Sequence, residues 1–282
     1  MDRCDLHSHS TSSDGTCTPT EVVRLAKEEG LKAIALTDHN TTKGLKEFME
    51  AGKQYDIITV PGCEFTTEYH GKELHIVGLF FPEEVWPQVE DYVDMLNLSK
   101  HFSNMNLIKA LRNGGFDISY EECAALTDAA EFNRAHVARV LHHKGFVTSV
   151  QEAFKTLLKE GNGYYIHAKR LNALQTVKFI KEYGGVAIFA HPFLNLHGKE
   201  LEMFLKEAKA QGLDAMETHY SLFSDEQTTL AEELAKKYGL KQSGGSDFHG
   251  EAKPNIKLGI GQGNLVVPFS FYESLEAIVK GR

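Results

Sequence analysis

The chain is 282 residues long, 42% hydrophobic and 24% charged, values ordinary for a soluble globular protein with a substantial buried core. Its 30 Lys and Arg against 39 Asp and Glu leave a formal net charge of −9, which excludes a broad electrostatic grip on long duplex nucleic acid because that requires a basic face. A small phosphorylated partner is not excluded, since metal ions supply positive charge locally inside an acidic protein.

No apolar run approaches the ~20 residues that span a bilayer, and the first residues carry no basic segment followed by an apolar stretch. Cys4, Cys17, Cys63 and Cys123 lack CxxC or other paired spacing, as expected of reduced thiols in a cytoplasmic protein without membrane contact. The anomaly is histidine. Fourteen are present, several beside Asp or Glu at the ends of apolar runs.

In chain order, a short strand is expected over residues 3–8, then a turn-rich loop holding Ser13-Asp14-Gly15. Thr18 caps a helix that Pro19 opens, with Glu21 placed for a capping box and Gly30 placed to end it. Residues 33–37 form an apolar strand that runs into Asp38-His39, and a helix covers about 43–53. A third strand, 57–60, ends in Pro61-Gly62-Cys63-Glu64, and a fourth, 74–81, follows a loop with His70-Gly71. From about 88 to 166 strand signals vanish and helices are expected at 88–112, 119–126, 134–144 and 149–160, broken by glycines. The alternation then resumes with helix 171–183, strand 186–190 leading into His191-Pro192, helix 199–211, strand 214–218, helix 224–238 and strand 240–246 leading into Ser246-Asp247-Phe248-His249. Strand 264–267 and helix 269–280 close the chain. This rhythm implies an α/β barrel with parallel pairing and helices outside, residues 1–87 and 167–282, interrupted by a helical insertion over 88–166.

Histidines and carboxylates recur where strands end, the face on which active sites assemble in parallel α/β barrels. His7 and His9, like Asp247 and His249, are two residues apart, so each pair points to one side of an extended chain. Singly, each has a bland reading. An HxH is commonly a surface pair, Asp38-His39 could cap a helix, His191 could be a turn residue, and His75 inside an apolar run reads by itself as a packed core histidine. Taken together, coincidence at so many strand ends is less probable than one metal site. Histidine and carboxylate ligands without paired cysteines suit Mn, Zn or Fe. The nine candidates, His7, His9, Asp14, His39, Glu64, His75, His191, Asp247 and His249, are too many for one ion. Two or three divalent ions sharing ligands would use them, with Glu64 a reasonable bridge. Such a cluster generates hydroxide near neutral pH and clamps a phosphate oxygen, which fits phosphoester hydrolysis best.

Together the stretches Asp5-Leu6-His7-Ser8-His9, Ser13-Asp14-Gly15, Thr37-Asp38-His39, Gly62-Cys63-Glu64, His75, Ala190-His191-Pro192 and Gly245-Ser246-Asp247-Phe248-His249 resemble, in order, the polymerase and histidinol phosphatase (PHP) family of metallophosphoesterases. The resemblance implies a distorted seven-stranded β/α barrel with a trinuclear centre. One ion would take His7, His9, Glu64 and Asp247, a second Glu64, His75 and His191, and a third Asp14, His39 and His249. Asp38 would then orient a histidine or the strand end. The stretch Asn133-Arg134-Ala135-His136 looks like the helical insert of the branch holding 3′,5′-nucleoside bisphosphate phosphatases and 5′-to-3′ exoribonucleases. That implies a nucleotide or short single-stranded RNA as partner, with Arg134 and His136 holding its phosphate.

Departures stand beside these matches. After Pro192 the chain reads Phe193-Leu194-Asn195-Leu196-His197 where that branch often has a small and a basic residue, so a phosphate contact expected from that loop is either missing or supplied by His197 or Lys199. His219, at another strand end, is a candidate phosphate contact or proton donor to the leaving oxygen. A histidinol-phosphate-type phosphatase and a non-catalytic metal-binding regulatory module are the rival readings. An amidohydrolase-like barrel would carry a metal-bridging lysine, for which no candidate stands out.

Overall fold

The computed structural model of the protein describes residues 2–127, 132–159, 161, 164, 165 and 171–282, without the side chains of 95–97. The chain divides into two units, Met1–Glu90 with Leu171–Arg282, and Asp91–Arg170.

In the first unit, β1 (Cys4–Asp5) is followed by α1 (Pro19–Glu28), which starts at the expected Thr18–Glu21 capping box. The apolar run Ala-Ile-Ala-Leu makes β2 (Ala33–Leu36), buried along its whole length as a strand covered on both faces must be. Then come α2 (Leu45–Tyr55), β3 (Ile58–Tyr69) and β4 (Lys72–Leu79). β3 is far longer than expected. Pro61 and Gly62 do not end it, because the Pro61 carbonyl still accepts from Phe80 N–H at 2.8 Å and Gly62 lies where a Cβ would come within 2.7 Å of Leu79. The strand turns at His70-Gly71, both at positive φ (49° and 79°), and returns as β4.

After the second unit, the first resumes with β5 (Leu171–Asn172), α7 (Ala173–Glu182), β6 (Val186–Phe189), α8 (Gly198–Ala210), β7 (Ala215–Tyr220), α9 (Asp225–Lys237), β8 (Lys241–Gly245) and α10 (Phe269–Lys280). Between α2 and α7 the chain also forms α3 (Trp86–Asn113), α4 (Tyr120–Ala124), α5 (Arg134–His143) and α6 (Val150–Lys155). The sheet order is β1-β2-β3-β4-β6-β7-β8, with β5 beside β3. Leu6 N–H donates to Gly244 O at 3.1 Å and Asp247 N–H to His7 O at 2.9 Å, so the first and last strands meet in a nearly closed seven-stranded barrel. Gly245 permits this approach, since a Cβ there would lie 2.4 Å from that of His7.

Two expectations need correction. Pairing is not parallel throughout, because the hairpin sets β4 antiparallel to both β3 and β6. Residues 264–267 form no strand. Cys4 N–H reaches Val267 O at 3.0 Å and Arg3 bridges Pro268, but that segment makes no further ladder. Its apolar side chains still join the barrel core, where Leu265 and Val267 pack with Leu6, Val77, Ile188 and Leu275.

The boundary after Glu90 falls inside α3 (Trp86–Asn113). The second unit continues with α4 (Tyr120–Ala124), α5 (Arg134–His143) and α6 (Val150–Lys155), the last ending short of the expected 160. Leu107, Leu111, Phe132, Val137, Leu141 and Leu158 form its own apolar core. Among the described residues no helix is long and apolar enough to cross a membrane.

Candidate metal centre

The ends of the barrel strands deliver the polar residues to one place. His7 and His9 follow β1, where His9 N–H donates to Phe248 O at 2.9 Å, and His39 follows β2. Asn40, at φ 50°, turns the chain out of β2 while its amide clasps Thr66 through two 3.0 Å bonds. His191 and Asp247, after β6 and β8, also sit at positive φ (30° and 56°). Such strained backbone at non-glycine residues persists where surrounding structure fixes it and often marks function.

Glu64, fully buried on β3, is the hub. Its Oε2 lies 3.2 Å from His7 Nε2, 3.2 Å from His9 Nε2 and 3.1 Å from His39 Nδ1. Its Oε1 lies 2.8 Å from His75 Nδ1 and 3.0 Å from His191 Nε2. Asp247 Oδ1 is 3.2 Å from His9 Nε2 and 3.7 Å from His7 Nε2. Asp14 Oδ1 is 3.3 Å from His249 Nε2, and its Oδ2 is 3.9 Å from His39 Nε2. All nine expected residues are therefore brought together, with Asp14, His39 and His75 on the open side.

One carboxylate cannot satisfy five imidazoles by hydrogen bonding. Glu64 Oε2, His7 Nε2, both ring nitrogens of His9 and His39 Nδ1 are buried without a hydrogen-bond partner. Orphaned polar atoms are costly in a core and call for an ion or a ligand. Three overlapping groups have donor atoms within 4.8 Å of one another: His9, Asp14, His39 and His249; His7, His9 and Glu64; His39, Glu64 and His75. The donors are imidazole and carboxylate, and the clusters are consistent with a multi-metal site.

The electrostatics show how tightly these groups are coupled. Burial would raise the Glu64 carboxyl, but His39, His7 and His75 hold it well below the usual range. Asp247 and Asp14 are likewise lowered against burial, Asp247 chiefly by His9 and Asp14 chiefly by His39. Burial opposes charge on His9, yet Asp247 and Glu64 lift it to about 9. The same contest, with Glu64 as partner, lifts His75 to about 10. For His39 burial prevails and lowers it to about 3.

Residues beyond the nine candidate ligands support the site. Glu217, buried on β7, lies 2.7 Å from His7 Nδ1 and accepts from His191 N–H at 2.6 Å. With Nδ1–H on Glu217, His7 presents the Nε2 lone pair to the cluster, the usual way a carboxylate fixes a ligating imidazole. Tyr220 OH donates to Asp247 Oδ2 at 2.8 Å. Asp5 accepts from Ser246 N–H and Gly259 N–H, at 2.9 and 2.8 Å, tying β1 to the chain beyond β8. Asp38 does not orient a histidine. It accepts from Ser10 N–H, Ser10 OH and Ser13 OH, at 2.8, 2.6 and 2.6 Å, and so secures the loop that carries Asp14. Glu217 is detectable in sequence as a charged residue inside an apolar strand.

His219 is not brought to the cluster. It sits edge-on to Phe271 of α10 and 3.8 Å from Glu232 of α9. A register shift between Glu217 and His219 breaks the two-residue alternation, so Glu217 and Tyr220 face the centre instead. His197 and Lys199 are exposed at the start of α8. In the second unit, Arg134 opens α5, donates to Leu158 O at 3.3 Å and lies over the Tyr165 ring at 4.4 Å. His136 Nδ1 accepts from Asn133 N–H at 3.0 Å, completing the cap of α5.

Fold and site together define an α/β barrel protein with a buried histidine–carboxylate centre at its strand ends. The chain belongs to the PHP domain family, whose model matches residues 5–238. It is similar to a 5′-3′ exoribonuclease of Haemophilus influenzae, 34% identical over 87% of this chain and 89% of that protein. It is also similar to a 3′,5′-nucleoside bisphosphate phosphatase of Chromobacterium violaceum, 30% identical over 88% of each. A solved structure described as an amidohydrolase from Chromobacterium violaceum, with bound sulfate and no metal, superposes with a TM-score of 0.80 at 27% identity, over 98% of this chain and 96% of that one.

Proposed function

We propose that the protein is a metal-dependent phosphoesterase that hydrolyses a phosphomonoester or a terminal phosphodiester of a nucleotide or short single-stranded RNA. The observation that carries this reading is the Glu64 hub, with five imidazoles around one buried carboxylate and orphaned donors pointing between them. In the proposal His7, His9, Glu64 and Asp247 hold one divalent ion, Glu64, His75 and His191 a second, and Asp14, His39 and His249 a third, with Mn, Zn or Fe as occupants. Bound ions of this kind supply activated water and offset charge on a phosphoryl group. Around them Glu217 fixes the His7 ring, Tyr220 fixes Asp247, and Asp38 holds the Asp14 loop.

Arg134 and His136 are assigned to the substrate phosphate on the strength of the insert's resemblance and the planar fork of arginine. The kinship with an exoribonuclease and a nucleoside bisphosphate phosphatase supports the substrate class. The test is hydrolysis of adenosine 3′,5′-bisphosphate and of a 5′-phosphorylated oligoribonucleotide by protein reconstituted with Mn²⁺. Turnover of either is expected. Turnover of histidinol phosphate alone would remove the nucleotide reading, and no turnover of any phosphoester by metal-loaded protein would remove the enzymatic one.

A further inference from the structure

The centre is rich in carboxylates, and among the described residues a single lysine or arginine pairs with one of them. Lys253 Nζ lies 2.7 Å from Asp247 Oδ2. The two oxygens of Asp247 have separate tasks. Oδ1 faces His9 and His7, whereas Oδ2 accepts from both Tyr220 OH, at 2.8 Å, and Lys253.

The backbone fixes where Lys253 stands. Its N–H donates to Gly250 O at 3.1 Å and its carbonyl accepts from Ile256 N–H at 2.9 Å. Pro254 follows it, and Gly250 turns the chain at φ 63°, where a Cβ would lie 2.2 Å from Thr16 Oγ1. This turn follows directly on Asp247 and His249. An ammonium carries three N–H donors and no acceptor. One donor is spent on Asp247, and the side chain remains 42% exposed, against 8% for Asp247 itself. A cation so placed is anchored to the centre yet has donors left for an anion arriving from solvent.

From this juxtaposition we infer that Lys253 is a phosphate-binding residue, contacting a non-bridging oxygen of the substrate phosphate or of the product phosphate ion. The inference rests on the phosphoesterase reading and assigns the barrel its own contribution to substrate binding, separate from Arg134 and His136. Because Tyr220 also holds Asp247 Oδ2, removal of Lys253 should leave that carboxylate in place.

The experiment compares wild type, K253Q and K253R after metal reconstitution. It measures metal content by mass spectrometry, inorganic phosphate binding by calorimetry, and KM and kcat on whichever phosphoester the wild type hydrolyses. Thermal melts confirm that the variants fold. K253Q is expected to keep its metals, to bind phosphate about 10- to 100-fold more weakly, as loss of a charged hydrogen bond implies, and to raise KM in parallel. K253R should recover most of that loss. Unchanged phosphate binding in K253Q would overturn the inference. So would loss of metal with unchanged phosphate affinity in the loaded fraction, which would make Lys253 a strut for Asp247. If wild type binds phosphate in a Lys253-dependent way yet hydrolyses no phosphoester, the enzymatic reading fails and the contact stands.

Discussion

The two units treat their polar residues in opposite ways. In the barrel unit imidazoles and carboxylates are taken into the core and several are left without hydrogen-bond partners, an arrangement that folding alone disfavours. In the helical unit the core is apolar, and its conspicuous polar groups do structural work within the unit. Asn133 and His136 cap α5, Ser119 and Glu122 cap α4, and Arg134 braces the Leu158 carbonyl. The contrast sets a buried histidine–carboxylate centre in the barrel unit against a helical unit with an apolar core of its own.

That contrast can be broken, starting with its largest consequence. Glu64→Ala removes the carboxylate shared by five histidines, and metal content and turnover should both fall by about a hundredfold or more, beyond the range of supporting residues. Retention of metal at wild-type level would end the hub assignment. Glu217→Gln keeps the shape but weakens the acceptor for His7 Nδ1, and metal affinity should drop by roughly 10- to 100-fold, read by chelator competition. Arg134→Ala should leave metal content untouched and raise KM by about tenfold; a fall in metal content would contradict the division of labour between the units.

Smaller effects sharpen the electrostatics. With no metal bound, Asp247 and Glu64 lift His9 to about 9 and Glu64 lifts His75 to about 10, above the ordinary value of about 6.5, so chelator-stripped protein is expected to titrate there. Groups raised in this way stabilise the fold fully below about pH 6.5, and that contribution is lost as pH rises through 9 to 10. The melting temperature of the stripped protein should therefore decline across that interval, while metal uptake at pH 7.5 should release protons, visible as buffer-dependent heats. A melting temperature that rises with pH there would contradict the assignment. The smallest effect is expected for His219→Ala, which should change neither metal content nor phosphate affinity.

Much of the site was legible because barrel strands place function at their ends, so His7-x-His9 and Asp247-x-His249 follow from alternation alone. His75 was not legible that way. It lies within an apolar run on β4, and only the family resemblance distinguished it from a packed core histidine; its 2.8 Å approach to Glu64 arises because the antiparallel return brings β4 alongside β3. That antiparallel pairing was itself hidden, since Pro61-Gly62 resembles a strand terminus. Glu217 shows in the sequence as a charge within a strand, and plain alternation from it points to His219, yet Tyr220 faces the centre. A β-bulge is a single residue of irregularity that reverses every facing beyond it, and the local sequence of β7 does not announce it. Helices, set by local caps, were easier: Thr18, Ser224 and Asn133 each cap where their side chains suggest.

If Glu64 bridges metal ions, anomalous diffraction from crystals soaked in Mn²⁺ will reveal them. Two or three anomalous peaks are expected around Glu64, each within coordinating reach of the histidines and carboxylates of the centre. Well-ordered density for these side chains with no anomalous peak beside Glu64 would contradict that bridging role.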